Sequence, residues 1–146
     1  MTKPITPLLA ADALIELIDM PGRPIVLIER KNPPYGWAIP GGFVDIGETV
    51  ETTAVREALE EVSLEVTLRS LLGIYSGPQR DPRGHTVTAI YIAEARGKPV
   101  AADDAKNVGI FTLDQLPAPL AFDHAMVLED YRRYRETKEV APLRFK

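Results

Sequence analysis

Short runs of branched apolar residues alternate along the chain with segments rich in proline, glycine and charge. Such runs, bounded by turn-forming residues, are typical of β-strands. They predict strands at Leu8–Ile18, Ile25–Ile28, Trp37–Ile39, Thr86–Ala95 and Val108–Phe111, and one or two more within Glu65–Tyr75. The intervening segments, such as the Pro-Gly turn within 19–24, predict turns and loops.

Two segments have helical spacing instead. Thr49 is a predicted N-cap, and the helix that follows is expected to run to about Val62. A second helix is expected after Asp123. Strands outnumber helices and a helix precedes and follows the later strands, which favours an α+β fold or a mixed sheet covered by helices. The apolar positions expected to face the core from the first helix are Val50, Ala54, Val55, Ala58, Leu59 and Val62.

Composition narrows the class of protein. With 146 residues, 45% apolar and 26% charged, the chain is expected to form a single globular domain over residues 1–146. It contains no cysteine, which excludes disulfides and thiol catalysis. Asp12 and Glu16 interrupt the apolar N-terminal segment, so it predicts neither a signal peptide nor a membrane span, and a cytoplasmic protein is expected. The net charge of −4 and the absence of a basic run argue against nucleic acid as a partner.

Three glutamates of the first predicted helix point to metal chemistry. Glu57 lies three positions before Glu60 and four before Glu61, so all three carboxylates share one region of the helix surface. Like charges this close repel one another unless a cation lies among them. A hard divalent cation that prefers oxygen ligands, Mg²⁺ or Mn²⁺, fits this set. The alternative is an acidic helix face that is simply solvated.

The residues before the helix decide between these interpretations. Counted from Gly42, the chain reads G-x5-E-x7-R-E-u-x-E-E-x-S-u, where u is apolar, and this resembles the box of the Nudix hydrolases. Ser63 departs from it, since the family has glycine there, and we expect a slightly different helix exit with activity retained. The matching positions are Gly42, Glu48, Arg56, Glu57, Glu60, Glu61 and Leu64.

The resemblance implies a Nudix-type α/β/α sandwich with a mixed central sheet, and roles for the residues of the box. Glu57 and Glu61 would be the direct ligands of Mg²⁺, Glu60 a ligand or a partner through water, and the carbonyl of Gly41 a further ligand. These three glutamates are also the catalytic candidates. Structural roles are implied for three other residues of the box, Gly42, Glu48 and Arg56, the last two as a pair that ties the loop to the helix.

A second stretch, residues 75–85, resembles the branch of Nudix enzymes that act on ADP-ribose, as do residues 102–106 and 120–124. This resemblance implies Mg²⁺-dependent cleavage of ADP-ribose to AMP and ribose 5-phosphate. Arg30 is a candidate for phosphate binding, since the family has arginine at the matching position. Arg80 and Arg83 are two more, although both could instead lock their loop to Asp81.

Several alternatives stay open at this stage. The general base could be Glu60, Glu94, Asp103 or Asp104, and neither the number of metal ions nor the formation of a homodimer is decided. One rival function is MutT-like cleavage of nucleoside triphosphates. The other is an ADP-ribose sensor that does not cleave its ligand, which the intact glutamates and the short segment after the last predicted helix disfavour. The expected partner is a small nucleotide in every case.

Overall fold

A computed structural model describes residues 2–102 and 105–145. Within these ranges it contains strands β1 Leu8–Leu17, β2 Ile25–Arg30, β3 Trp37–Ala38, β4 Gly41–Phe43, β5 Thr67–Tyr75, β6 Thr86–Ala95 and β7 Ala105–Phe111, and helices α1 Val50–Val62 and α2 His124–Thr137. Each predicted element is present, and Glu65–Tyr75 forms one strand. Strand β4 was not predicted, because its Gly-Gly pair is typical of a turn.

The strands form one mixed sheet of seven strands. Its main order is β3-β2-β1-β6-β5, with β4 paired to β1 and β7 paired to β2. Strands β1 and β6 are parallel along their whole length, from Leu8 opposite Thr86 to Leu17 opposite Ala95, whereas the other pairs are antiparallel. Strand β4 lies beside the start of β1, with Gly41 opposite Asp12. This pairing brings the Gly-Gly pair next to a buried strand.

The two helices cover opposite faces of the sheet. Successive residues of β1 point to alternate faces, so Ala13 and Ile15 join one apolar cluster and Leu14 the other. The first cluster includes Ala54, Ala58 and Val62 of α1. The second includes Val127, Leu128 and Tyr131 of α2. The predicted α+β class, with its mixed central sheet and α/β/α layers, is confirmed. Neither helix within the described ranges is long and apolar enough to cross a membrane.

Helix α1 begins as predicted and buries a narrower face than predicted. The Thr49 side chain accepts a hydrogen bond from the amide of Thr52, which caps the first turn. At the other end Ser63 takes the left-handed conformation, with φ of 61°, that a glycine would adopt. The prediction that Val55 and Leu59 face the core is wrong: they are 38% and 51% exposed. The core contacts only one stripe of the helix, centred on the small residues Ala54 and Ala58.

Candidate active site

A cavity of about 280 Å³ opens where β1, β4, α1 and the beginning of α2 meet. Each element contributes a residue to the lining: β1 contributes Asp12, β4 contributes Gly41, α1 contributes Glu57 and α2 contributes His124. The loop between β5 and β6 closes one side, and the end of β2 closes another. The lining includes two sets of charged residues, which we call the carboxylate end (Asp12, Glu57 and Glu61) and the arginine end (Arg30 and Arg83).

The Gly-Gly pair of β4 makes room for the carboxylates. The amide of Gly41 donates a hydrogen bond to Oε1 of Glu61, 3.0 Å away. A Cβ atom on Gly41 would lie 1.8 Å from Oδ1 of Asp12, and one on Gly42 would lie 2.5 Å from Oε1 of Glu57. Both distances are far below van der Waals contact, so any larger residue would displace a carboxyl group. Glycine at 41 and 42 is therefore required by the close approach of these side chains.

At the carboxylate end, burial raises the pKa of all three acidic groups, and the positive charges of Arg56 and Arg80 oppose this only in part. Burial, together with the nearby charge of Glu57, raises the pKa of Glu61 to about 8. Burial also raises the pKa of Glu57, although its hydrogen bond to Arg56 opposes this effect. Burial raises the pKa of Asp12 to about 8 as well, against the opposing charge of Arg80. A cation at this end would favour the ionised form of all three groups.

This donor set fits a magnesium ion that takes few ligands from the protein. Within residues 2–102 and 105–145, no group of three or more His, Cys, Asp or Glu side chains is already arranged to hold a metal. Magnesium commonly keeps several water molecules and binds one or two carboxylates. Glu57 and Glu61 supply that number inside the cavity, and Gly41 of β4 lines it beside them.

Glu60 does not line the cavity. Its side chain is 46% exposed, and its Oε2 lies 3.2 Å from Nη1 of Arg56. Arg56 also contacts Glu57 through Nη1, at 2.9 Å, and donates from Nε to Oε2 of Glu48, at 2.7 Å. The hydrogen bond from Arg56 lowers the pKa of Glu48 to about 2. The pairing of Glu48 with Arg56 that the resemblance implied is thus present, and Arg56 links the loop before α1 to two of its glutamates.

The arginine end combines Arg30 and Arg83 around an aromatic ring. Arg30 ends β2, where the pairing with β7 shifts register, and donates from Nε to the carbonyl of Pro34, 2.7 Å away. Arg83 pairs with Asp81 at 2.9 Å, so the locking of the loop to Asp81 does occur for this residue. The guanidinium carbons of Arg30 and Arg83 lie 4.9 and 5.3 Å from the ring centre of Phe122. Both arginines line the cavity.

Arg80 pairs with Asp123 rather than with Asp81. Its side chain is only 6% exposed, and its Nε and Nη2 donate to the two carboxylate oxygens of Asp123 at 2.9 and 2.7 Å. Its Nη1 donates to the hydroxyl of Thr88, 2.7 Å away. Of the two interpretations left open for Arg80, the one in which it locks its loop to Asp81 is therefore not found. Asp123 precedes α2 without capping it through its side chain, because the carboxylate is used by Arg80.

Sequence reasoning missed the buried pair of Asp12 and His124. Nδ1 of His124 accepts a hydrogen bond from the amide of Ile39 at 3.1 Å, and Nε2 lies 3.6 Å from Oδ2 of Asp12. Burial lowers the pKa of His124 to about 3, so its imidazole is neutral at pH 7. An acidic residue inside the apolar run of β1 was the available signal for Asp12, since such residues are seldom fully buried without a partner. Phe43 and Phe122 gave no comparable signal.

The candidates for the general base have different positions. Glu94 lies at the end of β6, does not line the cavity, and accepts hydrogen bonds from Arg23 and Arg69. These hydrogen bonds, first that from Arg69, lower the pKa of Glu94. The structure therefore does not bring Glu94 to the site. Asp103 and Asp104 lie outside the described residues.

Comparisons with known proteins agree with this geometry. Residues 7–131 match the NUDIX domain family. An ADP-ribose pyrophosphatase from Methanocaldococcus jannaschii is 46% identical over 132 residues, which cover 88% of this chain and 75% of the relative. The ADPR-responsive transcriptional repressor NtrR from Acinetobacter baylyi is 33% identical over 85% of this chain. The match covers 52% of the repressor, so this chain spans about half of its length.

A solved structure shares the fold. The NUDIX domain of Shewanella oneidensis NrtR, in complex with ADP-ribose, superimposes with a TM-score of 0.74 and 27% identity. The match covers 91% of this chain and 90% of that domain. The domain match, the archaeal relative and the shared fold show that this chain belongs to the Nudix hydrolase family.

Proposed function

We propose that this Nudix hydrolase cleaves ADP-ribose to AMP and ribose 5-phosphate with Mg²⁺ as its cofactor, Mn²⁺ being the alternative, and that residues 1–146 act as one domain. The observation that carries the proposal is that carboxylates and arginines line one and the same cavity. A diphosphate bridged to a metal ion is complementary to both ends at once. The archaeal relative named an ADP-ribose pyrophosphatase supports the choice of substrate.

The carboxylate end is the proposed place of the metal. Glu57 and Glu61 would hold it directly with the Gly41 carbonyl, and Glu60 would join them by turning away from Arg56 or through water. Bound there, the metal offsets phosphate charge and lowers the pKa of the attacking water. Glu60, Asp103 and Asp104 remain the candidates for accepting the proton of that water. Gly41 and Gly42 keep space for the carboxyl groups, as their contacts indicate.

The arginine end is the proposed binding site for the rest of the diphosphate. Guanidinium groups bind phosphate oxygens through paired hydrogen bonds, which fix orientation as well as charge. The bonds of Arg83 to Asp81 use its Nε and Nη2, so Nη1 is not used by that carboxylate. Arg80, bonded on both sides, would support the wall of the cavity and contribute charge without moving.

The other candidate function is ADP-ribose sensing without cleavage. The similarity to the repressor NtrR and to an NrtR domain that binds ADP-ribose favours it specifically. The carboxylates of Glu57 and Glu61 in the cavity favour hydrolysis, because a metal ion held there would lower the pKa of an attacking water. MutT-like cleavage of nucleoside triphosphates is the third candidate, since the box alone does not select what is attached to the phosphates.

A substrate panel separates the three. The protein is incubated with Mg²⁺ and ADP-ribose, sugar nucleotides, dinucleoside polyphosphates or nucleoside triphosphates, and the products are identified by mass spectrometry. We expect AMP and ribose 5-phosphate from ADP-ribose, at a kcat/KM well above that of every other compound. Binding of ADP-ribose without turnover would establish the sensor, and preferred release of pyrophosphate from a nucleoside triphosphate would establish the MutT-like activity.

A further inference from the structure

Phe122 has an unusual backbone for its residue type. Its φ is 55°, in the left-handed region that glycine enters readily and a bulky side chain enters only at a cost in free energy. Such conformations persist where surrounding contacts impose them, and they cluster at functional sites. Phe122 lies at the cavity, one residue before the cap of α2.

Backbone hydrogen bonds on both sides hold this conformation. The amide of Ala121 donates to the carbonyl of Trp37 at 2.8 Å, and the amide of Trp37 donates to Pro119 at 2.9 Å. The amide of His124 donates to Ala121 at 3.1 Å. The chain is thus attached to β3 just before Phe122 and enters α2 just after it. These hydrogen bonds hold the backbone of Phe122 at the cavity.

The ring of Phe122 is shared by two cations from distant parts of the chain. Arg30 comes from the end of β2 and Arg83 from the loop between β5 and β6, and both guanidinium groups lie within cation–π distance of the ring. Arg83 also lies 5.4 Å from the ring centre of Phe43 in β4. Two guanidinium groups around one ring repel each other, and an anion bound by both would relieve that repulsion. The aromatic ring attracts each cation without accepting the hydrogen bonds that a phosphate would use.

We infer that Phe122 is a positioning residue that aligns Arg30 and Arg83 as a two-armed receptor for the diphosphate of the substrate. This inference rests on the proposed function only in its choice of a diphosphate, and it assigns Phe122 no contact with the reacting atoms. Its consequence is that the π face of residue 122, and not only its apolar volume, determines the affinity for substrate.

Phe122→Leu tests this, because leucine keeps a branched apolar side chain and removes the ring. We expect KM for ADP-ribose to rise roughly tenfold, the effect of losing one or two cation–π contacts, while kcat changes less than about threefold. Phe122→Tyr, which keeps the ring, should restore KM to near the wild-type value. Phe145→Leu is the matched control, because Phe145 is 97% exposed and does not line this cavity. The KM of this variant for ADP-ribose should equal that of the wild type.

A double-mutant cycle measures whether the effects of Phe122 and Arg83 on KM are coupled, which is not expected of a residue that only supports the fold. If Phe122 acts through Arg83, Arg83→Ala should raise KM by a smaller factor in the Phe122→Leu protein than in the wild type. Additive effects, an unchanged KM in Phe122→Leu, or parallel losses of kcat and Tm at constant KM would each overturn the inference. Failure of Phe122→Tyr to restore KM would overturn it as well.

Calorimetric titration in EDTA separates this inference from the proposed function. Inorganic pyrophosphate is the probe, because it presents the diphosphate group without the parts of the substrate attached to it. ADP-ribose is titrated in parallel. We expect weaker binding of pyrophosphate to Phe122→Leu than to the wild type. Suppose that the wild type binds pyrophosphate but not ADP-ribose, and that Phe122→Leu does not bind pyrophosphate. This result would contradict the proposed substrate and support the role of Phe122. Equal binding by both proteins, or none by the wild type, would overturn the inference.

Discussion

At the scale of single residues, the site depends on carboxyl groups whose pKa is raised by burial. Glu57 and Glu61 are placed side by side by one helical turn, and each approaches a glycine of β4. Glu60 lies on the same helix and yet binds Arg56 at the surface. Glu57, Glu60 and Glu61 therefore differ in environment, and we expect them to differ in their effect on catalysis.

Replacement of the two cavity glutamates should show this difference. Glu57→Gln and Glu61→Gln should each lower kcat by at least about a hundredfold, since glutamine keeps the size and removes the charge proposed to hold the metal. The amide oxygen at position 57 can still accept from Arg56, so the fold should be retained. Steady-state kinetics with circular dichroism checks both statements.

Glu51→Gln is the control for these variants. Glu51 lies on the same helix, outside the cavity, and accepts a hydrogen bond from the hydroxyl of Tyr91 that glutamine can also accept. Its kcat should stay near the wild-type value. Equal losses at positions 51, 57 and 61 would show that the cavity is not the catalytic site.

His124 should make stability depend on pH in a defined direction. Burial lowers the pKa of His124 to about 3, against an ordinary value of 6.5, and Asp12, Asp123, Arg80 and Arg30 are the ionisable groups around it. Below pH 6.5 the unfolded chain binds a proton at this residue that the folded protein does not, so stability falls as pH falls from about 6.5 towards 3. It is unaffected by this group above 6.5. The slope is about 1.4 kcal/mol per pH unit for one proton.

His124→Asn isolates that contribution. The asparagine oxygen can accept the hydrogen bond from the amide of Ile39 and does not titrate. Urea unfolding at a series of pH values between 7 and 4 should give curves for the two proteins that converge as pH falls, because only the wild type loses stability through His124. Parallel curves over this range would show that His124 is protonated equally in the folded and unfolded states.

At the scale of elements, the two helices contribute differently to the core. Helix α1 buries small residues against the sheet and leaves larger ones exposed, which lets it approach β4 and place its glutamates in the cavity. Helix α2 instead packs large side chains on the other face, where Leu128 is 1% exposed and Tyr131 is fully buried. Helix α1 thus places two glutamates in the cavity, whereas α2 contributes large side chains to the core.

The same substitution on the two helices measures this contrast. Leu128→Ala should lower the free energy of unfolding by roughly 2–5 kcal/mol, through lost burial and a cavity in the packed core. Leu59→Ala, on the exposed side of α1, should change it by less than about 0.5 kcal/mol. Denaturant unfolding of both variants checks the difference. A cost at Leu59 as large as that at Leu128 would mean that this side of α1 is covered in solution.

At the scale of the whole molecule, metal binding should couple activity to stability. EDTA should abolish turnover, and Mg²⁺ or Mn²⁺ should restore it and raise Tm, because a cation bound only to the folded cavity stabilises the folded state. The double variant Glu57→Gln, Glu61→Gln should lose the increase in Tm and so controls for unspecific ion effects. Undiminished turnover in a metal-free assay would contradict the proposed cofactor.

The sequence alone was sufficient for the features that depend on local spacing. The four-residue interval between Glu57 and Glu61, the cap at Thr49 and the strand Thr86–Ala95 all follow from side-chain periodicity and backbone preference within a few residues. The box before and within α1 identified the family for the same reason, since its residues are close together in the chain. Prediction of these features does not require knowledge of how the helices and strands are arranged in space.

Only the tertiary structure decided which residues meet. Asp12 and His124 come from opposite ends of the chain, and they lie 3.6 Å apart because β1 and the start of α2 pack at the same end of the sheet. The same packing brings Arg30, Arg83 and Phe122 to one cavity and pairs Arg80 with Asp123. Contacts of this kind depend on strand pairing and layer packing over long separations, and a pattern of neighbouring residues does not encode them.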